Sequence, residues 1–228
     1  METLKKPIIS NILFSLSILL VQARIGSTGI ILIDYMTSED AVVLIDGGYF
    51  SKVLSDFSVD TENFDLVKFS DALCEGHKRL RAYYYDALPW ISDKFPSSKD
   101  SDRRSSKQRM LDAVTYLKRF EVRQGKVQRT TVNCKKCGEN DYKFNQKLVD
   151  VLLSVDLVRL AWSKQARYIV IVSGDSDFVP AVRAAKEAGA VTKVVYAKTE
   201  HAAIHDDLRK VCDERQQIDK PFLDSFKR

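Results

Sequence analysis

Tyr168-Ile169-Val170-Ile171-Val172-Ser173-Gly174-Asp175-Ser176-Asp177-Phe178-Val179-Pro180 is the stretch on which the reading of this chain turns. Its opening apolar run, rich in β-branched residues, predicts a strand buried on both faces, as in a parallel sheet. Helical spacing follows from about Phe178 to Ala188, and Gly189 supplies a stop. A buried strand that ends in carboxylates and hands over to a helix is one βα unit, with its acids at the carboxyl edge of the sheet.

A second copy of this pattern lies upstream. Ala41-Val42-Val43-Leu44-Ile45 runs into Asp46-Gly47-Gly48, so another buried strand is expected to deliver an acid at the same rim. Helices are predicted over Tyr49–Phe57 and Phe64–Gly76, broken at Asp60–Asn63. Leu80–Tyr85, rich in tyrosine, predicts a strand ending at Asp86. Pro89–Ser101 reads as a loop and Asp102–Lys118 as a polar, exposed helix. Glu121–Val127 predicts a strand and Thr130–Phe144 a hairpin. Lys147–Trp162 predicts a core-packed helix, its apolar face assigned to Leu148, Val151, Leu152, Val155, Val158, Leu160 and Ala161. Thr192–Tyr196 is the fifth predicted strand, before a short helix and an irregular tail. The alternation implies a three-layer α/β/α sandwich around a mainly parallel sheet of about five strands.

Bulk properties agree. The 228 residues, 45% hydrophobic and 29% charged, suit one globular domain, and the net charge of +5 permits polyanionic partners without demonstrating them. Four cysteines in this length exclude a disulfide-dense secreted scaffold and favour a reducing cytoplasm. Residues 1–38 read as an extension: Lys5 and Lys6 precede an apolar run from Pro7 to Val21, which has the outline of a signal peptide, while Met36 offers a start just before the domain at 39–228. The run is short and polar for a membrane span, so no stable membrane association of the core domain is expected.

Carboxylates gathered at one rim repel one another unless a cation neutralises them. Mg²⁺ or Mn²⁺ suits oxygen ligands best, and such an ion supports phosphodiester hydrolysis. A strand-end Asp is also a common helix cap, but two buried strands ending in acids are harder to explain as independent caps.

Leu44-Ile45-Asp46-Gly47-Gly48-Tyr49, Lys147-Leu148-Val149-Asp150 with Asp156 following, and Ser173-Gly174-Asp175-Ser176-Asp177-Phe178-Val179-Pro180 occur in the order seen in NYN domains of the LabA-like group, which the chain resembles from about Asp40 to Ala197. The resemblance implies a PIN-like fold and, as in active members, a metal-dependent endoribonuclease acting on single-stranded RNA with little sequence preference. It carries over Asp46, Asp150, Asp175 and Asp177 as catalytic metal-holding residues. Asp156 and Asp86 are candidates for a supporting role, Asp156 because six helical residues turn it away from Asp150. Ser173 and Ser176 are candidates for substrate contact, with turn and cap roles as the alternative. Many family members place an asparagine three residues after the first aspartate; here that position is Tyr49, which either stacks on a base or belongs to the core. The rival reading is a catalytically weak RNA-binding module on the same scaffold; a different phosphoester hydrolase is a third.

Arg103, Arg104, Lys107, Arg109, Lys118, Arg119, Arg123, Lys126, Arg129, Lys135 and Lys136, interleaved with Tyr116, Phe120 and Tyr142, form the expected RNA-contact stretch, weighed against an ordinary solvated face. Cys134 and Cys137 have zinc half-site spacing; a structural Zn²⁺, a site shared in a homodimer, a redox pair and a plain turn all remain open. Cys74 reads as a core cysteine, and His201 and His205 as solvated.

Overall fold

The computed structural model describes the backbone of residues 22–25, 31–34, 40–91, 97–133 and 140–228, with side chains at 40–91, 97–126 and 148–228. The chain divides into two units, Met1–Ser38 and Glu39–Arg228. In the first, β1 (Gln22–Ile25) pairs antiparallel with β2 (Ile31–Asp34). The apolar run from Pro7 to Val21 lies outside the described residues.

In the second unit the elements run β3 (Asp40–Asp46), α1 (Gly47–Asp56), α2 (Leu66–Ala72), β4 (Lys78–Ala87), α3 (Ser98–Thr115), β5 (Phe120–Asn133), β6 (Asn140–Lys147), α4 (Val149–Trp162), β7 (Tyr168–Val172), a single 3-10 turn (Ser176–Phe178), α5 (Val179–Glu187), β8 (Val191–Tyr196), α6 (Asp206–Val211), β9 (Glu214–Gln217) and α7 (Lys220–Asp224). The sheet order is β6-β5-β4-β3-β7-β8-β9. All neighbours are parallel except the β5–β6 hairpin, which pairs antiparallel from Lys126↔Lys147 to Asn133↔Asn140. The α/β sandwich is therefore as expected, with a longer sheet. The additional parallel strand is β9, in the tail read as irregular. Its sequence, Glu-Arg-Gln-Gln, has no apolar alternation because it sits at the edge and is largely exposed.

Side chains of β3 alternate between two cores. Ala41, Val43 and Ile45 face a cluster containing Phe50, Phe69 and Leu111 from α1, α2 and α3. Val42 and Leu44 face a cluster containing Leu153 and Leu157 of α4 and Val182 of α5. Helices on both faces explain why β3 and β7 read as unbroken apolar runs. The C-terminus is drawn into the first core, where Phe226 rings pack edge-on to Phe64 and Phe69.

Helix α4 departs from its expected orientation. Its buried residues are Val149, Leu153, Asp156, Leu157, Leu160 and Ala161, whereas Leu148, Val151, Val155 and Trp162 are exposed. Apolar residues surround almost the whole helix, so periodicity alone did not select a face. The side turned inward is the one whose single acid, Asp156, finds arginine partners there.

Candidate active site

Strands β4 and β5 extend the sheet to one side of β3, and β7, β8 and β9 to the other, so the chain reverses its winding direction between β3 and β7. Ligands of open parallel sheets bind beyond the strand ends at such a reversal. Asp46 closes β3 and Asp175 follows β7 by a short turn, and the register Ile45↔Val172 sets the two exits side by side.

Each acid is held by its local structure. Asp46 caps α1, accepting from the Tyr49 backbone N–H at 3.0 Å through Oδ1, while its Oδ2 accepts from Ser173 Oγ at 3.0 Å. Burial pushes its carboxyl up, opposed by those hydrogen bonds, and the charge of Asp86 adds to the rise. Asp175 caps the 3-10 turn by accepting from the Asp177 N–H at 2.9 Å. Each cap thus fixes one oxygen of its acid, and in Asp46 Ser173 holds the other.

Asp150 arrives from the opposite layer, in the first turn of α4. Its carboxyl is held above the usual carboxylate range by partial loss of hydration, then by the charges of Asp46, Asp175 and Asp177. That coupling links all four acids chosen from the sequence. The residue before α4, Leu148, has a left-handed backbone at φ 76, costing roughly 1–2 kcal/mol in a residue with a Cβ. Here β6 turns abruptly into the helix that presents Asp150.

Two glycines are dictated by space. A Cβ on Gly47 would meet Tyr84 Cε1 at 2.5 Å and Asp86 Oδ2 at 2.6 Å; one on Gly174 would meet the Ala203 carbonyl oxygen at 2.2 Å. The first packs α1 against the end of β4. The second lets the turn after β7 pass beneath the segment before α6, where the His205 N–H donates to the Gly174 carbonyl at 2.9 Å. Neither role had a sequence signal beyond the glycine itself.

Other predicted residues separate. Asp86 is 2% exposed; its Oδ1 accepts from the Ala87 N–H at 2.7 Å, and Lys107 Nζ pairs with Oδ2. It belongs to the rim through its charge on Asp46. Asp156 does not. Its oxygens accept from Tyr85 Oη at 3.0 Å, Arg123 Nε at 3.1 Å and Arg159 Nη2 at 3.0 Å, so it ties α4 to the sheet and its supporting metal role is withdrawn. Tyr49 takes the core alternative: it is 9% exposed, and its hydroxyl accepts from the Ala197 N–H at 3.0 Å, leaving no open ring face for a base. Ser173 is buried against Asp46, and Ser176 begins the 3-10 turn.

The basic stretch is not one surface. Arg119 donates to the Arg79 carbonyl, Arg123 serves Asp156 and Glu121, and Phe120 is buried beneath Arg79. Arg104 Nη1 donates to the Pro89 carbonyl at 2.9 Å. Arg103 and Arg109 are exposed on α3. The side chains of Arg129 and Tyr142, and Lys135, Lys136, Cys134 and Cys137 altogether, lie outside the described residues. Cys74 and Cys212 are free and buried. His201 Nδ1 and Asp56 Oδ1 lie 2.9 Å apart at the surface, and His205 caps α6.

Among the described residues, no three His, Cys, Asp or Glu side chains close into a cage of metal-ligand spacing. The donor set is nevertheless all oxygen and mutually repelling, which suits Mg²⁺ or Mn²⁺; Mg²⁺ typically keeps several waters and takes only one or two protein carboxylates directly. Among the described residues no helix is long and apolar enough to cross a membrane. The sequence model of the NYN domain family matches residues 40–219. A search of curated proteins returned no match.

Proposed function

Because the chain belongs to the NYN domain family, a family of PIN-like nucleases, we propose that it is a metal-dependent endoribonuclease that hydrolyses phosphodiester bonds of single-stranded RNA. The observation that carries this reading is geometric: the paired exits of β3 and β7 bring Asp46 and Asp175 to one rim, and the first turn of α4 brings Asp150 within reach of their charges. Acids drawn together from three separate segments would be neutralised by a bound cation. When bound, Mg²⁺ or Mn²⁺ would polarise a phosphate oxygen and acidify a water.

The protein's own groups divide the remaining work. Asp46, clamped by Tyr49 N–H and Ser173 Oγ, and Asp175, locked by its cap, are the rigid holders. Asp177 adds a third acid from the same turn. Asp150, exposed on a helix end, is assigned to orient the attacking water. The resemblance to the LabA-like group, carried by the same motifs, favours this assignment, and the free buried thiols of Cys74 and Cys212 suit a reducing cytoplasm.

A catalytically weak RNA-binding module is the second reading, favoured by one observation. The position three residues after Asp46 offers the site no carboxamide, because Tyr49 is committed to the core. A homodimer is also proposed, through the exposed α4 residues Val151, Val155 and Trp162, which lie at helical spacing on one side; Val155→Lys should then lower the mass measured by light scattering.

The deciding assay incubates labelled single-stranded RNA with the full chain in Mg²⁺ or Mn²⁺, beside Asp175→Asn and an EDTA control. Cleavage by wild type alone supports the enzyme. Equal rates for wild type and variant overturn it, and salt-sensitive binding without cleavage supports the module.

A further inference from the structure

A groove of about 1360 Å³ lies between α1 and α3 and opens onto the acid rim at Gly48 and Asp86. One face of α3 lines it: Arg103, Ser106, Lys107, then Met110, Val114 and Leu117, spaced as neighbours on a helix surface. This face changes character along its length. Its N-terminal half is polar and cationic, and Lys107 there touches Asp86 at the rim. Its C-terminal half is apolar and closes onto the core, where Val114 meets Phe50 and Leu54 of α1 in one buried cluster. Tyr116, 89% exposed, and Arg228 also line it. Tyr116 follows Lys107 by nine residues, so at 1.5 Å per residue the two stand about 13 Å apart along the helix. Glu62, Asp86 and Asp100 are the acids of the lining.

We propose that this groove seats the RNA strand on one side of the cleaved phosphate, with backbone phosphates at Arg103 and Lys107 and a base laid against the exposed ring of Tyr116. The inference rests on the nuclease reading and adds a direction to it: the strand leaves the acids over α3, not over α5. Cations followed by an exposed aromatic ring suit the phosphates and unstacked bases of a single strand. A duplex, whose bases are stacked inside, would present only phosphates and leave the Tyr116 ring without a base. The groove reaches the rim at Gly48 and at Asp86, whose charge acts on Asp46, so a bound strand would lead toward the acids. Arg228, far from α3 in sequence, reaches the same groove because α7 packs on α2.

The test uses two exposed residues whose loss leaves the core intact, Arg103→Ala and Tyr116→Ala, with Arg183→Ala on α5 as the control. Binding of a fluorescent single-stranded RNA oligonucleotide is measured in Ca²⁺ across a salt series, and cleavage in Mn²⁺. Tyr116→Ala should weaken binding about tenfold. Arg103→Ala should lower the salt slope by about one. Both should raise KM more than they change kcat, with Arg183→Ala unchanged. An oligonucleotide carrying 4-thiouridine should crosslink within residues 103–117. If wild type binds and cleaves RNA while both variants match it, or crosslinks fall only on α5, the groove proposal fails and the nuclease reading stands. If wild type neither binds nor cleaves RNA, both fail. Equal affinity for duplex RNA would likewise overturn the single-strand assignment.

Discussion

Gly174→Ala is the sharpest perturbation available, because its cost follows from positions alone. The added Cβ would lie 2.2 Å from the Ala203 carbonyl oxygen and 2.7 Å from Tyr49 Cε2. Carbon and carbonyl oxygen settle at about 3.3 Å or beyond, so the two segments must part by roughly 1 Å. Neither neighbour yields easily. Ala203 is main chain, and the Tyr49 ring is buried with its hydroxyl bonded to the Ala197 N–H. Overpacking in a well-filled interior costs typically 1–3 kcal/mol, and the upper half of that range applies here. For a domain of this size each kcal/mol lowers Tm by about 2–4 °C, giving an expected drop of about 4–12 °C by circular dichroism. Function should suffer more than stability. Asp175 is the next residue, and a 1 Å displacement of an aligned group can cost about a hundredfold in rate. Metal-dependent RNA cleavage, compared below both melting temperatures, reads that second effect. A variant with unchanged Tm and unchanged cleavage would refute the close packing of the turn after β7 beneath residues 203–205.

Three further outcomes follow from particular residues. The carboxyls of Asp46 and Asp150 are both raised from 3.8, so the folded state holds their protons longer than the unfolded state and stability falls as pH climbs from that value through the raised ones. Added Mn²⁺, which binds the ionised form, should therefore raise Tm more near about pH 7.5 than near about pH 5; an equal or larger gain in acid counts against the coupled cluster. Leu148→Gly relieves about 1–2 kcal/mol of left-handed backbone cost against about 0.5–1 kcal/mol of added unfolded-state freedom. Its urea midpoint should hold or rise, and a clear fall would show the conformation is not strained. Asp156→Asn takes the charge from a buried carboxylate that accepts from Tyr85 and pairs with Arg123 and Arg159, leaving Arg123 to Glu121 alone, at a cost of about 1–3 kcal/mol. Its kcat/KM at low temperature should match wild type, whereas selective loss of metal affinity would return Asp156 to the site.

How far the sequence carried depends on what each residue needed. Strands β3 and β7 were legible because a strand covered on both faces must be apolar throughout, and their acids were legible because they end those runs. β9 was not, since an exposed edge strand has no burial to write into its composition. Tyr49 could be either a stacking ring or a core residue in one dimension; it became core because residues 197–202, far downstream, supply its hydroxyl partner. Asp156 shared its helix with Asp150, and only the arginines reaching it from β5 and its own helix separated their roles.

By itself the sequence determined the layer order, the parallel strands and the acids that end two of them, because burial and strand ends leave local marks in composition; Asp150, on a helix, was named by the resemblance alone. The tertiary structure alone decided which face of α4 is inside, that Lys107 pairs with Asp86 and two arginines with Asp156, and that α1 and α3 enclose a groove reaching the rim. Each of those depends on partners brought together from distant segments, and pairing of that kind leaves no local pattern to read.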